Sequence, residues 1–215
     1  MDADLSAALL RLDEVTRLLR RECPWDREQD ERSIVPHTVE EAYELADAAE
    51  SGDDAKLLDE LGDVLFQVYF LSLLLEERGR GSLAEVAEHC RAKLIRRHPH
   101  VFGDRAAETA GDVVRNWDQI KRDEEGAGEV FGPIPETLPS TLYAKKILRR
   151  ARNAGHEWKG GGESREGTGE LPTRPTEDPG ERLLAAVRDA VEAGDDPELA
   201  LRRAADRFRQ QVEAA

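Results

Sequence analysis

Residues 60–71 read ELGDVLFQVYFL, and in this stretch a pair of acids runs directly into the most apolar segment of the chain. Glu60 and Asp63 stand three positions apart, which places both side chains on nearly the same face of a helix. From Val64 onward that helix is apolar all round, so it must be buried on every side. Because one small bundle cannot cover such a helix, we expect a helical core and a subunit interface, in a homodimer or a higher homo-oligomer.

A second acidic pair, Glu41 and Glu44, precedes the first and has the same spacing. The turn Ser51-Gly52-Asp53-Asp54 would fold one helix back against the other, so that both pairs point into one cleft. Residues 40–63 hold ten acidic residues and one basic residue. Such a cluster repels itself unless it is solvated or holds cations, and hard divalent ions such as Mg²⁺ prefer oxygen ligands.

The alternative is a solvated outer face, which is what a Glu-rich helix usually forms. Two features favour a site instead. The cluster lacks the Lys and Arg residues that stand four positions away on exposed, salt-bridged helices. Glu60 and Asp63 also lie at the predicted core boundary, where a carboxylate needs a partner.

Composition favours an all-α protein and limits its partners. Aromatic residues make up 5% of the 215 residues, strand-type runs of Val, Ile and Thr are nearly absent, and Ala, Leu, Glu and Arg dominate. The net charge of −15 argues against nucleic acid as a partner. It does not exclude nucleotides as ligands, because a bound metal ion can reverse the sign of the local electrostatic potential. The longest apolar run is shorter than the ~20 residues that a membrane span needs.

The two cysteines, Cys23 and Cys90, lie far apart in sequence and form no Cys-x-x-Cys motif. The first residues include several charges and no long apolar run, which is untypical of a signal peptide. Both features predict reduced thiols and a cytoplasmic location.

Hydrophobic periodicity predicts further helices before and after the opening stretch. We expect main helices at about residues 4–21, 37–50, 54–78, 82–97 and 109–125, a short helix at about 140–153, and a final pair at about 181–193 and 197–213. In the helix that follows Pro36, Glu41 and Glu44 would lie off the apolar stripe, as metal ligands require. That stripe consists of Val39, Ala42, Ala46 and Ala49.

Five motifs, in this order, resemble those of the MazG-type nucleoside triphosphate pyrophosphohydrolases. They are Cys23-Pro24-Trp25-Asp26, Glu40-Glu41-x-x-Glu44, Glu60-Leu61-Gly62-Asp63, the run from Lys93 to Phe102, and Trp117-x-x-x-Lys121. The resemblance covers about residues 5–125 and implies an all-α bundle of four to five main helices that dimerises. It also implies dependence on Mg²⁺, which Mn²⁺ could replace, and hydrolysis of nucleoside triphosphates to monophosphate and pyrophosphate by metal-activated water in nucleotide-pool housecleaning.

Long members of the family are similar to a tandem of two such domains, and this chain resembles one that keeps only a remnant of the second. Residues 178–184 look like an eroded copy of residues 60–66, without a partner acidic helix. We expect a MazG-like catalytic domain at 1–126, a connecting segment with a short helix at 127–158, a flexible linker at 159–180, and a degenerate helical remnant at 181–215.

The resemblance implies a role for each acidic candidate. Glu40 points about 100° away from Glu41 on a helical wheel, so it could be an outer ligand, the base that takes the proton of the attacking water, or a solvated residue. The four acids of the two pairs would hold Mg²⁺ and would be catalytic together with Glu40: Glu41, Glu44, Glu60 and Asp63.

Cations must neutralise the part of the triphosphate that the metal does not reach. Arg97 has an alternative role as an ordinary cation at a helix C-terminus. Trp117 could stack on a base or belong to the core, Trp25 could be core or pocket wall, and His37 matches a position where the family often presents a basic group. The nucleotide-binding candidates are Lys56, Lys93, Arg97, Trp117, Lys121 and His37.

Three other types of protein share some of these features. A non-catalytic helical dimer that binds nucleotides or a partner protein is the main alternative. A di-iron bundle would need Glu-x-x-His pairs, which the two acidic motifs lack. A zinc site at His98 and His100 lacks a third ligand at the required spacing.

Overall fold

The computed structural model describes residues 3–124, 131–156, 158 and 178–213. Over these ranges the chain forms ten helices and no strand, which confirms the predicted all-α class. None of the helices in these ranges has the length and apolarity that crossing a bilayer requires. The chain divides into two compact units, Met1–Phe102 and Gly103–Ala215.

The first unit contains six helices: α1 Ala3–Glu22, α2 Pro24–Glu28, α3 Glu31–Ser51, α4 Asp54–Glu77, α5 Leu83–Arg97 and α6 Pro99–Phe102. The described residues of the second unit form four: α7 Ala110–Glu124, α8 Ser140–Asn153, α9 Pro179–Glu192 and α10 Pro197–Glu213. Most of the predicted helices are found within about two residues of their expected ends. The predicted linker lies outside the described residues as far as position 177.

Helices α3 and α4 form a tight hairpin, as the turn at Ser51–Asp54 predicts. Gly52 ends α3 with φ of 68°, a left-handed conformation that glycine adopts without steric cost. Asp53 then caps α4, because its side chain accepts hydrogen bonds from the backbone N–H groups of Ala55 and Lys56. The hairpin therefore brings the two acid-bearing helices side by side.

The expected start of α3 after Pro36 is wrong. Asp30 caps the helix six residues earlier, because its carboxylate accepts hydrogen bonds from the N–H groups of Arg32 and Ser33 at 2.9 Å. The Ser33 hydroxyl accepts the N–H of Asp30 in return, which completes a capping box. Pro36 lies inside the helix and removes one backbone hydrogen bond there. A fully made cap thus sets the start of the helix in spite of the proline.

The core of the first unit lies between α3 and α4. Ile34, Phe70 and Leu74 are buried together, with exposed fractions of 2%, 1% and 4%, and Phe66 and Leu71 pack against them. Phe66 and Phe70 lie one turn apart on α4, with ring centroids 5.8 Å apart. One side of the apolar part of the opening stretch therefore forms this core, as predicted, whereas Leu65 and Val68 on the other side are 37% and 41% exposed.

The apolar stripe predicted for α3 is also wrong. Ile34 and Ala48 are buried, and Thr38, Glu41 and Leu45 are half-buried between them at steps of four and three. Large Ile34 gains more from burial than any alanine, and the Thr38 hydroxyl donates to the Gln67 side chain of α4 at 3.3 Å. Glu41 therefore lies on the side of α3 that faces α4. The residues of the expected stripe are exposed or half-buried: Val39, Ala42, Ala46 and Ala49.

Two arginines of α1 bind the C-terminal end of α4. Arg17 reaches Glu76 with its two terminal nitrogens at 3.1 and 2.7 Å, and Arg20 makes two contacts of 2.9 Å with Glu77. Such two-point contacts between guanidinium and carboxylate fix direction as well as distance. They hold α1 against the hairpin.

Arg20 also fixes the short helix α2. Its guanidinium donates hydrogen bonds to the backbone carbonyls of Asp26 and Gln29. The same group lies 5.9 Å from the ring centre of Phe70. One side chain therefore joins α1, α2 and α4, so the segment that contains Cys23-Pro24-Trp25-Asp26 occupies a defined position.

Apolar side chains remain exposed on the outside of the first unit. On α4 they include Leu58 and Leu61, which are 75% and 50% exposed, and on α1 they include Leu10 at 63%. Scattered apolar residues are normal on surfaces, but several on neighbouring helices are typical of an interaction site. The predicted subunit interface would cover this surface and stays a prediction.

Helices α8, α9 and α10 pack together in the second unit. Lys145 of α8 binds Asp196 beside α10 at 2.6 Å, and the Thr141 hydroxyl donates to Glu198. The three helices border an open apolar cavity of about 660 Å³, and the residues that line it carry no titratable side chain. They include Ala144, Leu183, Leu184, Val187 and Leu201.

Replacing Glu76 with Gln should lower the melting temperature slightly at neutral pH. Its hydrogen bond with Arg17 holds the pKa of Glu76 below its usual range. A carboxylate of this kind stabilises the folded state above its unfolded pKa, and the contribution is lost as the pH falls through its folded pKa. Thermal unfolding followed by circular dichroism should therefore show a small deficit that is complete above the unfolded glutamate pKa of about 4.3 and disappears as the pH falls through the lower folded pKa of Glu76.

The matched control is Glu14→Gln, which removes an exposed acid of α1. It should leave the melting temperature close to that of the wild type over the same range. A deficit of equal size in both variants, or one that grows in acid, would contradict a stabilising Arg17–Glu76 pair.

Candidate metal and substrate site

Three of the predicted acids meet in the α3–α4 hairpin. Glu41 of α3 and the α4 residues Glu60 and Asp63 each offer one carboxylate oxygen, and these oxygens lie within 4.8 Å of one another. Glu41 and Glu60 are half-buried, and Asp63 is exposed. The inward position of Glu41 on α3 produces this meeting, because the opposite face of the helix points away from α4.

The three side chains fit a hard cation. The Oε2 atom of Glu60 is buried and has no hydrogen-bond partner among the described residues. A buried carboxylate oxygen without a partner is costly, and three oxygens that converge this closely suit a small divalent ion. Exposed acidic clusters are common without an ion, so the buried oxygen is the stronger of the two observations.

Two members of the site, Glu41 and Glu60, have raised pKa values. Loss of solvent raises the pKa of Glu41, and the negative charges of Asp63, Glu44, Glu60 and Glu40 raise it further. Loss of solvent likewise raises the pKa of Glu60, helped by Glu44, Asp63 and Asp59. Both groups are thus ionised less readily than ordinary glutamates, as expected for carboxylates that face one another without a cation.

The other two acidic candidates lie at the edge of this group. Glu44 is exposed and does not belong to the set of three, although its charge acts on both Glu41 and Glu60. Glu40 is exposed, and its Oε2 lies 3.7 Å from Nδ1 of His37. Their predicted roles as ligand and base stay predictions.

The predicted cations of the first unit lie on α4 and α5. Lys56 is exposed in the first turn of α4. Lys93 and Arg97 are half-buried and stand one turn apart near the end of α5, a helix that packs on α4. Their spacing places both on one face of α5. Phosphate binding by these three residues stays a prediction.

Trp117 and Lys121 belong to α7 of the second unit, and both are half-buried. That helix is tied to α8 through buried Asp118, whose Oδ2 accepts a hydrogen bond from Asn153 at 2.7 Å. Arg149 of α8 lies 3.5 Å from the same carboxylate. The helix that carries the motif is therefore anchored within its unit, and the nucleotide contacts of the two residues stay a prediction.

Trp25 is more exposed to solvent than the sequence predicts. It is 51% exposed, so the expectation of a core position is wrong and only that of a pocket wall stays. Its ring centre lies 5.7 Å from that of His37, with the planes at 70°. His37 stands one turn before Glu41 on α3.

Comparison with known proteins agrees with this geometry. Residues 29–102 match the MazG nucleotide pyrophosphohydrolase domain, which spans the acidic hairpin. A nucleoside triphosphate pyrophosphohydrolase of Escherichia coli is 36% identical over 204 residues, covering 86% of this chain and 77% of its own length.

Two further relatives extend the match. The Thermotoga maritima nucleoside triphosphate pyrophosphohydrolase/pyrophosphatase MazG is 36% identical over 86% of this chain and 76% of its own length. An uncharacterized Streptomyces cacaoi protein is 39% identical over 97% of this chain and 83% of its own length. The likeness therefore reaches beyond the acidic hairpin, and the chain belongs to the MazG nucleotide pyrophosphohydrolase family.

Proposed function

We propose that the chain hydrolyses nucleoside triphosphates to nucleoside monophosphate and pyrophosphate, and so removes surplus or damaged nucleotides from the cellular pool. The convergence of Glu41, Glu60 and Asp63 carries this proposal, since a triphosphate needs concentrated positive charge and these acids can hold it. Relatives in E. coli and T. maritima bear the name of this activity.

The carboxylates would hold Mg²⁺, or Mn²⁺ in its place. Glu41, Glu60 and Asp63 supply the converging oxygens, and exposed Glu44 can join them by a change of rotamer because it lies one turn from Glu41. When bound, the ion neutralises phosphate oxygens and lowers the pKa of a coordinated water. The buried Oε2 atom of Glu60, which has no hydrogen-bond partner among the described residues, would then coordinate the ion.

The remaining candidates act on water and phosphate. Glu40 would take the proton of the attacking water. In support, it is exposed, its charge acts on Glu41, and its Oε2 lies 3.7 Å from Nδ1 of His37. Basic side chains meet the phosphate oxygens. Nucleotide binding by Trp117 and Lys121 of the second unit is supported by the family motif alone. The basic side chains are Lys56, Lys93, Arg97 and Lys121.

The site works in a homodimer whose interface covers the exposed apolar side chains of the first unit, including Leu58 and Leu61 of α4. The domain limits expected from the sequence, with a catalytic part at 1–126 and a C-terminal remnant at 181–215, belong to the same proposal. Cys23 and Cys90 are free thiols, which favours a reducing cytoplasm.

Binding of nucleotides without turnover is the less favoured function. A protein of that kind would need no activated water, whereas the relatives in E. coli and T. maritima bear the name of a pyrophosphohydrolase. The product of the reaction distinguishes the two functions.

Purified protein with Mg²⁺ and a panel of nucleoside triphosphates should release pyrophosphate as the first product. Asp63→Asn should lower kcat at least about 100-fold, because replacing a metal ligand costs more than replacing its supporting partner. Ion chromatography of quenched reactions separates pyrophosphate from orthophosphate.

Asp59→Asn is the matched control, since it makes the same change at an exposed neighbour of Glu60 outside the converging set. It should keep most of the activity. Orthophosphate as the first product, or full activity of Asp63→Asn with a native circular dichroism spectrum, would overturn the proposal.

Mg²⁺ should raise the melting temperature of the protein, because binding to the folded state stabilises it. Glu60→Gln should raise the melting temperature of the metal-free protein at pH 7 and reduce the increment from Mg²⁺. The pKa of Glu60 is raised, so its ionised form disfavours folding above its ordinary pKa, and this penalty vanishes in acid.

Sodium chloride at matched ionic strength is the control and should shift the melting temperature less. Equal effects of the two salts, or an unchanged Mg²⁺ increment in Glu60→Gln, would contradict a cation site at these carboxylates.

The full chain should have the mass of a dimer or a higher oligomer by light scattering. Leu61→Glu should shift it toward the monomer, because a charge cannot be buried unpaired in an apolar interface. Asp59→Asn should not do so. A monomeric wild type at the concentration of the activity assay would contradict the proposed interface.

A further inference from the structure

We propose that the Trp25 indole, supported by His37, is the platform on which the base of the nucleotide stacks. The proposal rests on the function proposed above and adds to it the subsite that holds the base. The contact between Trp25 and His37 joins α2 to the acid-bearing helix α3, with ring centres 5.7 Å apart.

Trp25 is exposed to an unusual degree for its type. Tryptophan is highly buried on average, yet this side chain is 51% exposed, in a chain with only 5% aromatic residues. An exposed indole beside a second aromatic ring presents a flat apolar surface with a defined direction. Such a surface suits a planar ligand.

The position of the indole is set by the backbone of α2. The carbonyl of Trp25 accepts a hydrogen bond from the Gln29 side chain at 2.8 Å. The guanidinium of Arg20 donates hydrogen bonds to the backbone carbonyls of Asp26 and Gln29 and to the carboxylate of Glu77. The platform is therefore prepared before a ligand arrives, which reduces the ordering cost of binding.

The platform stands at one end of the acidic face. His37, Glu41 and Glu44 follow one another at steps of four and three, so they share one face of α3. His37 precedes Glu41 by about 6 Å along the helix axis. In a nucleotide the sugar and the α-phosphate separate the base from the phosphates that a metal would hold. A base platform must therefore lie away from the carboxylates, at the end of their face, as Trp25 does.

The ligand class follows from the chemistry of the surface. A stacked base contributes through its ring face, which every base has, so stacking tolerates different bases. The indole face is apolar and reads no hydrogen-bond pattern. We therefore expect Trp25 to strengthen binding of purine and pyrimidine nucleotides alike.

Steady-state kinetics with ATP and UTP test this assignment. Trp25→Ala should raise KM about 10-fold for both, in the range found when a base-stacking residue is removed, and change kcat less than about 2-fold. Trp25→Phe keeps an aromatic face and should stay within about 3-fold of the wild-type KM. Inorganic tripolyphosphate has no base, so its inhibition constant should be the same in all three proteins.

Fluorescence gives a readout that does not depend on turnover. The α,β-methylene analogue of ATP should quench the wild type in the presence of Mg²⁺, and Trp25→Phe should lose most of that quenching. Trp158→Phe is the control, because its ring lies 5.4 Å from the guanidinium of Arg188 in the second unit. It should leave both the quenching by Trp25 and KM unchanged.

If Trp25→Ala weakened the binding of ATP and of tripolyphosphate to the same extent, the proposed stacking would be wrong and Trp25 would have a structural role. An unchanged KM together with unchanged quenching would overturn it as well. If the protein makes no pyrophosphate, the proposed function is wrong, but base stacking is still tested. The test is then the fluorescence quenching of the wild type, Trp25→Phe and Trp158→Phe.

Discussion

Repulsion between carboxylates on two packed helices is the constraint on which the site depends. Glu41, Glu60 and Asp63 are brought within 4.8 Å by a hairpin that also buries Ile34 against Phe70. The apolar contact holds the backbone in a geometry that the charges by themselves would oppose. Loss of solvent, and after it this repulsion, raises the pKa values of Glu41 and Glu60. Hydrophobic packing thus keeps an anionic centre ready for a cation, and family membership agrees with that chemistry.

Much of this site could be predicted from the sequence, because its main determinants are local. Spacing alone places Glu60 and Asp63 on one face of α4, and Gly52 allows the turn that returns the chain. The pattern fails for α3, where the expected stripe of Val39 and three alanines lies off the buried face. Alanine has little area to bury, so the single Ile34 and the hydrogen bond from Thr38 to Gln67 decide which face turns inward. The Asp30 cap decides where the helix begins in spite of Pro36.

The surroundings of the site depend on contacts between residues that are distant in the chain, and these leave no periodic signal. Trp25 meets His37 because Arg20 of α1 fixes α2 through backbone carbonyls while binding Glu77 of α4. No spacing rule connects those residues. The same holds for the exposed faces of α1 and α4, whose apolar side chains are indistinguishable in sequence from those of a core.

The hairpin has a consequence for the order in which the molecule is built. All three converging acids lie between positions 41 and 63, so they come together through the closure of one short segment. The entropy lost in closing a loop grows with its length, and local contacts form early. A ribosome that has released only the first four helices has already delivered all three converging acids. The proposed metal ion would therefore find its carboxylates in place before the C-terminal half is made.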